Sequence, residues 1–194
     1  MKLLWIACVL AIACGDEPKG EPIVTATADE IIVMGTRIPI RKGDVIFWVT
    51  PDARVKKMLE LAKVGPGDVV YDLGCGDGRI PIAAARDFGA RGVGIEIDAK
   101  LVREAQDNAR KAGVADKVEF REGNMFEVDV SEATVVALYL LEHLNLKLRP
   151  KLQREMKPGS RVVSHVFGMG DWKPDRTEMV DGKPVYVWTI GEPR

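Results

Sequence analysis

Cysteine is scarce in this chain: three residues in 194. Cys8 and Cys14 lie in an apolar N-terminal segment and Cys75 inside a glycine-rich loop. That excludes a disulfide framework, and no metal-ligand spacing of Cys and His occurs, so no metal site is expected. Cys75 reads as a small residue that fits its loop. A surplus of charge is also missing. Lys and Arg number 28 against 29 Asp and Glu, a formal net charge of −1, so there is no global attraction to nucleic acid and no nucleic-acid partner is expected. The N-terminal apolar run, residues 3–13, falls short of the roughly 20 residues a spanning helix needs. No internal repeat or low-complexity run is visible. What is present is ordinary for a globular protein, 46% hydrophobic and 29% charged residues, in a length that suits one domain plus a short extension.

Residues 69–80, Val-Val-Tyr-Asp-Leu-Gly-Cys-Gly-Asp-Gly-Arg-Ile, organise the rest. An apolar run ends in an acid, a loop follows with glycine at every second position, and residues 80–86 form a helix-prone segment. Strand, tight loop and helix in that order put the loop at the carboxyl end of the strand, where open α/β sheets bind ligands. A second strand is predicted over 91–97, with Glu96 at its carboxyl end. Its offset from the loop is close to the roughly 20 residues at which nucleotide-binding folds place the acid that grips the ribose hydroxyls. The glycines run G-x-G-x-G rather than the G-x-G-x-x-G that accommodates a pyrophosphate on the helix N-terminus. Asp72, beside that loop, would repel a phosphate and welcome an ammonium or sulfonium.

The remaining order is helix, βαβαβ, βα, β and hairpin. Thr50-Pro51 can start a helix, Thr50 as its N-cap and Pro51 at its first position, and Gly65-Pro66-Gly67 stops it. Residues 99–112 form an amphipathic helix with Leu101, Val102, Ala105 and Ala109 inward. Strands are predicted over 118–120, 133–140 and 161–167, and a basic helix over 144–156. Residues 178–190 read as two strands about an Asp-Gly turn. The expected fold class is α/β, a doubly wound and mostly parallel sheet with a C-terminal antiparallel hairpin.

The N-terminus divides the expectation. Residues 1–14 have the length of a secretory signal core, and Ala11-Ile12-Ala13-Cys14 resembles a bacterial lipoprotein cleavage site with Cys14 as the lipidated residue. An uncut hydrophobic anchor is the alternative. Residues 15–29 carry Pro18 and Pro22 and read as a linker. Residues 30–194 would be the folded domain. Its first part, with β-prone runs at 31–34 and 45–48, is expected to form hairpin or irregular structure over the ligand mouth. Membrane association through the N-terminus is the expected localisation, either side of the membrane remaining open.

The sequence D-L-G-C-G-D-G followed by G-I-E-I resembles motifs I and II of class I S-adenosylmethionine-dependent methyltransferases. Residues 69–80, 134–150 and 161–175 further resemble bacterial relatives of the mitochondrial lysine methyltransferases that act on the ATP synthase c subunit and the adenine nucleotide translocase, both membrane proteins. The resemblance implies S-adenosyl-L-methionine as cofactor. It implies that Asp72 holds the ammonium end, with Gly74, Gly76 and Gly78 letting the backbone pass close, that Glu96 takes the ribose hydroxyls, and that Asn124 and Met125 meet the adenine. Thr50 would belong to the segment that closes over the cofactor. Tyr139 would stand beside the transferable methyl, with Glu142 and His165 as candidates to orient an amine or accept its proton. Asn145 and Trp172 would contact substrate. The methyl acceptor would be a membrane-protein lysine. A small-molecule methyltransferase and a non-catalytic, surface-anchored cofactor-binding module stay open as alternatives. A nicotinamide dehydrogenase is disfavoured by the glycine spacing and by Asp72. One conflict follows: this methyl donor is kept inside cells, whereas a cleaved signal would export the domain.

Overall fold

Alternating short apolar runs and amphipathic segments build a layered α/β domain. The computed structural model describes residues 50–191 in full, together with the backbone of three short strands, β1 (Val24–Ala26), β2 (Glu30–Val33) and β3 (Thr36–Pro39). The chain divides into two units, 1–48 and 49–194. In the first, β1 pairs antiparallel with β2 and β2 with β3. Strand β1 thus falls at the end of the stretch read as a linker, where Val24 and Thr25 favour extended backbone. Residues 1–23 and the run at 45–48 lie outside the described residues.

The second unit contains α1 (Asp52–Leu61), β4 (Val69–Leu73), α2 (Arg79–Phe88), β5 (Arg91–Glu96), α3 (Ala99–Lys111), β6 (Val118–Glu122), β7 (Val135–Leu138), α4 (Glu142–Glu155), β8 (Arg161–His165), β9 (Arg176–Val180) and β10 (Lys183–Thr189). Its sheet has seven strands in the order β6-β5-β4-β7-β8-β10-β9. The first five are parallel, and β10 runs antiparallel to both β8 and β9. The order reverses between β5 and β7, on either side of β4, which makes the carboxyl end of β4 the switch point of the sheet. The fold class expected from the sequence is the one observed. At the hairpin, Asp181 and Gly182 both take positive φ, 49° and 73°, as the right-handed twist of the two strands requires.

Strand alternation sends side chains to two cores. Val70, Val135, Ala137, Val163, Val185 and Val187 pack with Val55, Met58 and Leu59 of α1 and with Ala83 and Ala84 of α2. Tyr71, Leu73, Val136, Leu138, Val162 and Trp188 pack on the other side with Leu148 and Leu152 of α4. Helix α3 joins α2 through Ala105, Ala109, Ile82 and Ala85.

Several boundaries differ from the sequence reading by a residue or two, β7 for instance spanning Val135–Leu138 within the predicted 133–140, and three of the differences bear on the site. Helix α1 begins one residue later than predicted: Pro51 is its N-cap and Thr50 stands outside. Helix α4 begins at Glu142, two residues early, and carries Pro150 on its exposed side. Strand β8 stops at His165, because Val166 adopts φ 68°, which no extended strand accommodates. Among the described residues no helix is long and apolar enough to cross a membrane.

Candidate cofactor and methyl-transfer site

The loop after β4 folds back onto the end of β5. The N–H groups of Gly74 and Cys75 both donate to the Ile95 carbonyl, at 2.8 and 3.0 Å, so the first turn of the loop is fastened to the neighbouring strand. Gly74, Gly76 and Gly78 all have positive φ. Two glycines are fixed by contact as well. A Cβ on Gly78 (φ 81°) would stand 2.6 Å from the Phe120 ring, and one on Gly94 2.5 Å from the same ring and 2.6 Å from the Cys75 sulfur. Backbone therefore packs where a side chain would not fit.

Glu96 is buried at the end of β5. One carboxylate oxygen accepts from Gly76 N–H at 3.0 Å, and the other from Ile97 N–H at 2.8 Å and Asp98 N–H at 3.0 Å. A carboxylate offers about four acceptor positions, so three are occupied by backbone. Glu96 is thus the staple between the glycine loop and the turn into α3, with room for one further strong hydrogen bond rather than the two expected from the sequence.

Asp72 lies at the carboxyl end of β4, buried, on the α1 and α2 side with Val70. Burial pushes its pKa up to about 8, and the like charges of Glu96 and Asp77 add to the rise. The same neighbourhood raises the buried Cys75 thiol, first through burial and then through Asp72 and Glu96. Among the described residues Asp72 has no ion-pair partner. Such a carboxyl is stored neutral and becomes ionised when a cation is placed against it. That fits the ammonium end of S-adenosylmethionine and disfavours a phosphate.

Asp77 and Arg79 form a clamp that sequence reasoning missed. Arg79 donates from Nε and Nη2 to the two oxygens of Asp77, at 3.0 and 2.5 Å, and from Nη1 to the Thr50 carbonyl at 2.8 Å. Asp52 stands 3.6 Å away. The buried Thr50 is thereby tied to the glycine loop through its backbone. Asn108 of α3 donates to the Asp77 carbonyl at 3.1 Å.

Asn124 follows β6 and caps the next turn: its Oδ1 accepts from Phe126 N–H at 3.1 Å and its Nδ2 donates to Glu127 at 2.7 Å. Met125 packs half-buried against the α4-side core. Both stand at the carboxyl edge, beyond the end of β6.

On the other side of β4, Tyr139 follows β7, His165 ends the neighbouring β8, and the two rings meet with centroids 4.2 Å apart. Phe167 stacks on Tyr139 at 6.5 Å. His165 is fully buried. Arg54 of α1, itself buried, lies 3.2 Å from its Nε2 through Nη1. A guanidinium only donates, so Nε2 is the acceptor and the proton of the neutral ring is on Nδ1. Burial first, then Arg54 and Lys183, pull the His165 pKa down to about 3. Its basic nitrogen is engaged, which leaves the imidazole a neutral donor rather than a proton acceptor. Arg54 had one signal in the sequence: it falls on the inward face of α1, four residues before Met58.

Glu142 is exposed at the first position of α4. Asn145, one turn further, is fully buried and its amide donates toward the carbonyls of Phe167 and Gly168 at 3.1 and 3.2 Å. It holds the loop after β8 from within. Trp172 is half-buried against Trp188 at 5.7 Å, and the Trp188 indole N–H donates to its carbonyl at 2.7 Å. Asp72, Tyr139 and His165 are thus brought to one edge of the sheet, Glu142 opens the helix beside it, and Asn145 and Trp172 support the loop that follows β8. A separate cavity of about 340 Å³ lies between α1, α2 and α3, walled in part by Lys56, Asp77, Arg79 and Lys111; it does not include Asp72 or Glu96.

The family described as the ANTKMT methyltransferase domain matches residues 72–176. A protein-lysine N-methyltransferase of Saccharolobus islandicus is 51% identical over 153 residues, 76% of this chain and 95% of the relative. A lysine N-methyltransferase of the ATP synthase c subunit from Xenopus laevis is 33% identical over 77% of this chain and 65% of its own length. A solved structure of an RNA methyltransferase from Salinibacter ruber, in complex with S-adenosyl-L-homocysteine, superposes with a TM-score of 0.75 at 60% identity, covering 76% of this chain and 96% of that one. These likenesses agree with the buried acid and the glycine loop on the cofactor, S-adenosylmethionine. With the family matched from motif I to the first strand of the hairpin, and a relative about half identical across three quarters of the sequence, this chain belongs to the S-adenosylmethionine-dependent methyltransferases of the ANTKMT domain family.

Proposed function

We propose that the domain methylates the side-chain amine of a lysine in a membrane-associated protein. The observation that carries this reading is the ring cluster beside Asp72, in which Tyr139, His165 and Phe167 meet and the imidazole is neutral with its basic nitrogen engaged. The bound donor supplies a methyl on a sulfonium, already a good leaving group, so the chain's task is chiefly to align a nucleophile. A lysine amine suits such a site. Freeing its lone pair at pH 7 costs about 4–5 kcal/mol from a pKa near 10.4, and insertion into a ring-lined slot lowers that pKa by desolvation. The names of the Saccharolobus and Xenopus relatives support a lysine acceptor.

The Salinibacter relative's name favours RNA instead. The charges on α4 argue against it here. Arg149 pairs with Asp171, Lys151 and Arg154 with Glu155, and Lys147 lies 4.1 Å over the Phe126 ring, so each cation of the basic helix is already engaged by a neighbour. The proposal includes attachment to a membrane through residues 1–14, as a lipidated Cys14 or an uncut anchor, which would bring the domain to membrane-protein acceptors.

The test is transfer of tritiated methyl from S-adenosylmethionine by the full chain to a membrane-protein extract and, separately, to total RNA. Label that is protease-sensitive and recovered as methyl-lysine after hydrolysis is the expected result. Label that is lost only to nuclease would refute the lysine acceptor. Mass spectrometry of the native N-terminus decides between a lipidated Cys14 and an intact segment.

A further inference from the structure

The loop after β8 is held in a conformation its sequence disfavours. Val166 has φ 68°, a region that β-branched residues rarely enter. It is the centre of a three-residue turn closed by the Phe167 N–H donating to the His165 carbonyl at 2.8 Å, a rare and strained form. The surroundings enforce it. Val166 N–H donates to the Pro184 carbonyl on β10 at 2.8 Å. The Ser164 hydroxyl donates to the Phe167 carbonyl at 2.7 Å, and the Asn145 amide reaches the carbonyls of Phe167 and Gly168. To do so Asn145 leaves its own Oδ1 buried without a partner among the described residues, an unfavourable arrangement in itself. One strained turn and one orphaned acceptor converge on a single result: the half-buried Phe167 ring is set against Tyr139, at the sheet edge toward which β4 carries Asp72. Strain that persists because its surroundings over-determine it concentrates at functional sites.

We propose that Phe167 is a specificity-determining residue that forms, with Tyr139, one wall of the slot receiving the acceptor side chain, and that Asn145 and the Val166 turn are the positioning elements that place it there. The inference rests on the methyl-transfer reading of this edge and deepens it by naming the acceptor as a slender, largely apolar chain carrying the nucleophile at its tip. Two packed rings offer an apolar surface along which such a stem can lie and give no partner to a broad, multiply charged group. Phe167 would then govern acceptor access and leave cofactor binding untouched.

The probe is a nitrogen analogue of S-adenosylmethionine whose nitrogen carries a five-carbon arm in place of the methyl, compared by calorimetry with S-adenosylhomocysteine on the full chain. Wild type is expected to bind the armed compound at least tenfold more tightly. Phe167→Ala should shrink that preference to within about threefold, with S-adenosylhomocysteine affinity unchanged, and Phe167→Tyr should restore it. Val166→Gly relaxes the turn, so it should lose the preference while melting no lower than wild type, a pattern that a purely structural role for the turn does not give. The proposal is overturned if wild type gains nothing from the arm, if Phe167→Ala keeps the full preference, or if it weakens both ligands equally. Should methyl-lysine not be the product in the transfer assay, the lysine reading fails while the arm comparison still decides the role of Phe167.

Discussion

Asparagine at position 72 would keep the shape of the side chain and remove its titration. Burial, with Glu96 and Asp77 nearby, raises the Asp72 pKa from 3.8 to about 8. The folded protein therefore holds a proton there that the unfolded chain gives up above about pH 4. The sign follows from linkage. A group whose folded-state pKa is raised contributes fully below its unfolded value, and that contribution is lost as pH rises through the folded value, here from about 4 to about 8. Each unit is worth about 1.4 kcal/mol, so the ceiling at pH 7 is about 4 kcal/mol. Local water and relaxation reduce it; a third of the ceiling still moves the melting temperature by about 3–6 °C in a chain of this size. Thermal unfolding of the ligand-free protein, followed by circular dichroism between about pH 5 and pH 8.5, is the assay. Asp72→Asn should gain on wild type steadily as pH rises. The same variant should lose S-adenosylhomocysteine by roughly 30-fold or more, the cost of removing one partner from a buried charge pair. Wild-type affinity should itself rise with pH until about 8, because the ammonium must displace a proton. A gap between variant and wild type that does not change with pH, together with undiminished binding, would refute the reasoning.

Other expectations follow from the contacts around this acid. Gly94→Ala places a Cβ 2.5 Å from the Phe120 ring; overpacking of that kind costs about 1–3 kcal/mol, and chemical denaturation should show it without a change in cofactor specificity. Arg79→Gln opens the clamp on the Thr50 carbonyl and should raise KM for S-adenosylmethionine by about tenfold with little effect on kcat, as read from initial rates. His165→Gln should leave the shape of the kcat against pH profile between about pH 5.5 and 8 unchanged, since the imidazole, with a pKa near 3, does not titrate there; loss of a limb near pH 6.5 would show it acting as a base.

Most of the architecture was legible because it is written in local terms. Apolar runs of four to six residues, glycines at the turns and an Asp-Gly pair between two β-prone runs announce a doubly wound sheet with a hairpin. The carboxyl edge of the sheet was legible for the same reason: the places of Asp72, the loop glycines and Glu96 are fixed by their spacing along two consecutive strands. What could not be read depends on residues distant in sequence. The burial of Arg54 against His165 joins α1 to β8, 111 positions apart. The end of β8 at His165 reflects the reversal at Val166, which is imposed by Asn145, Ser164 and Pro184 and has no mark in the Val-Ser-His-Val-Phe run itself. Glu96 was placed correctly, but its service to three backbone N–H groups appears only once the loop has folded over it.

The most direct measurement is a crystal structure of the full chain with S-adenosylhomocysteine. The homocysteine ammonium should lie within hydrogen-bond distance of Asp72, a ribose hydroxyl on Glu96, and the sulfur facing the ring of Tyr139. A ligand seated instead in the groove between α1, α2 and α3, with Asp72 still buried and untouched, would contradict the account.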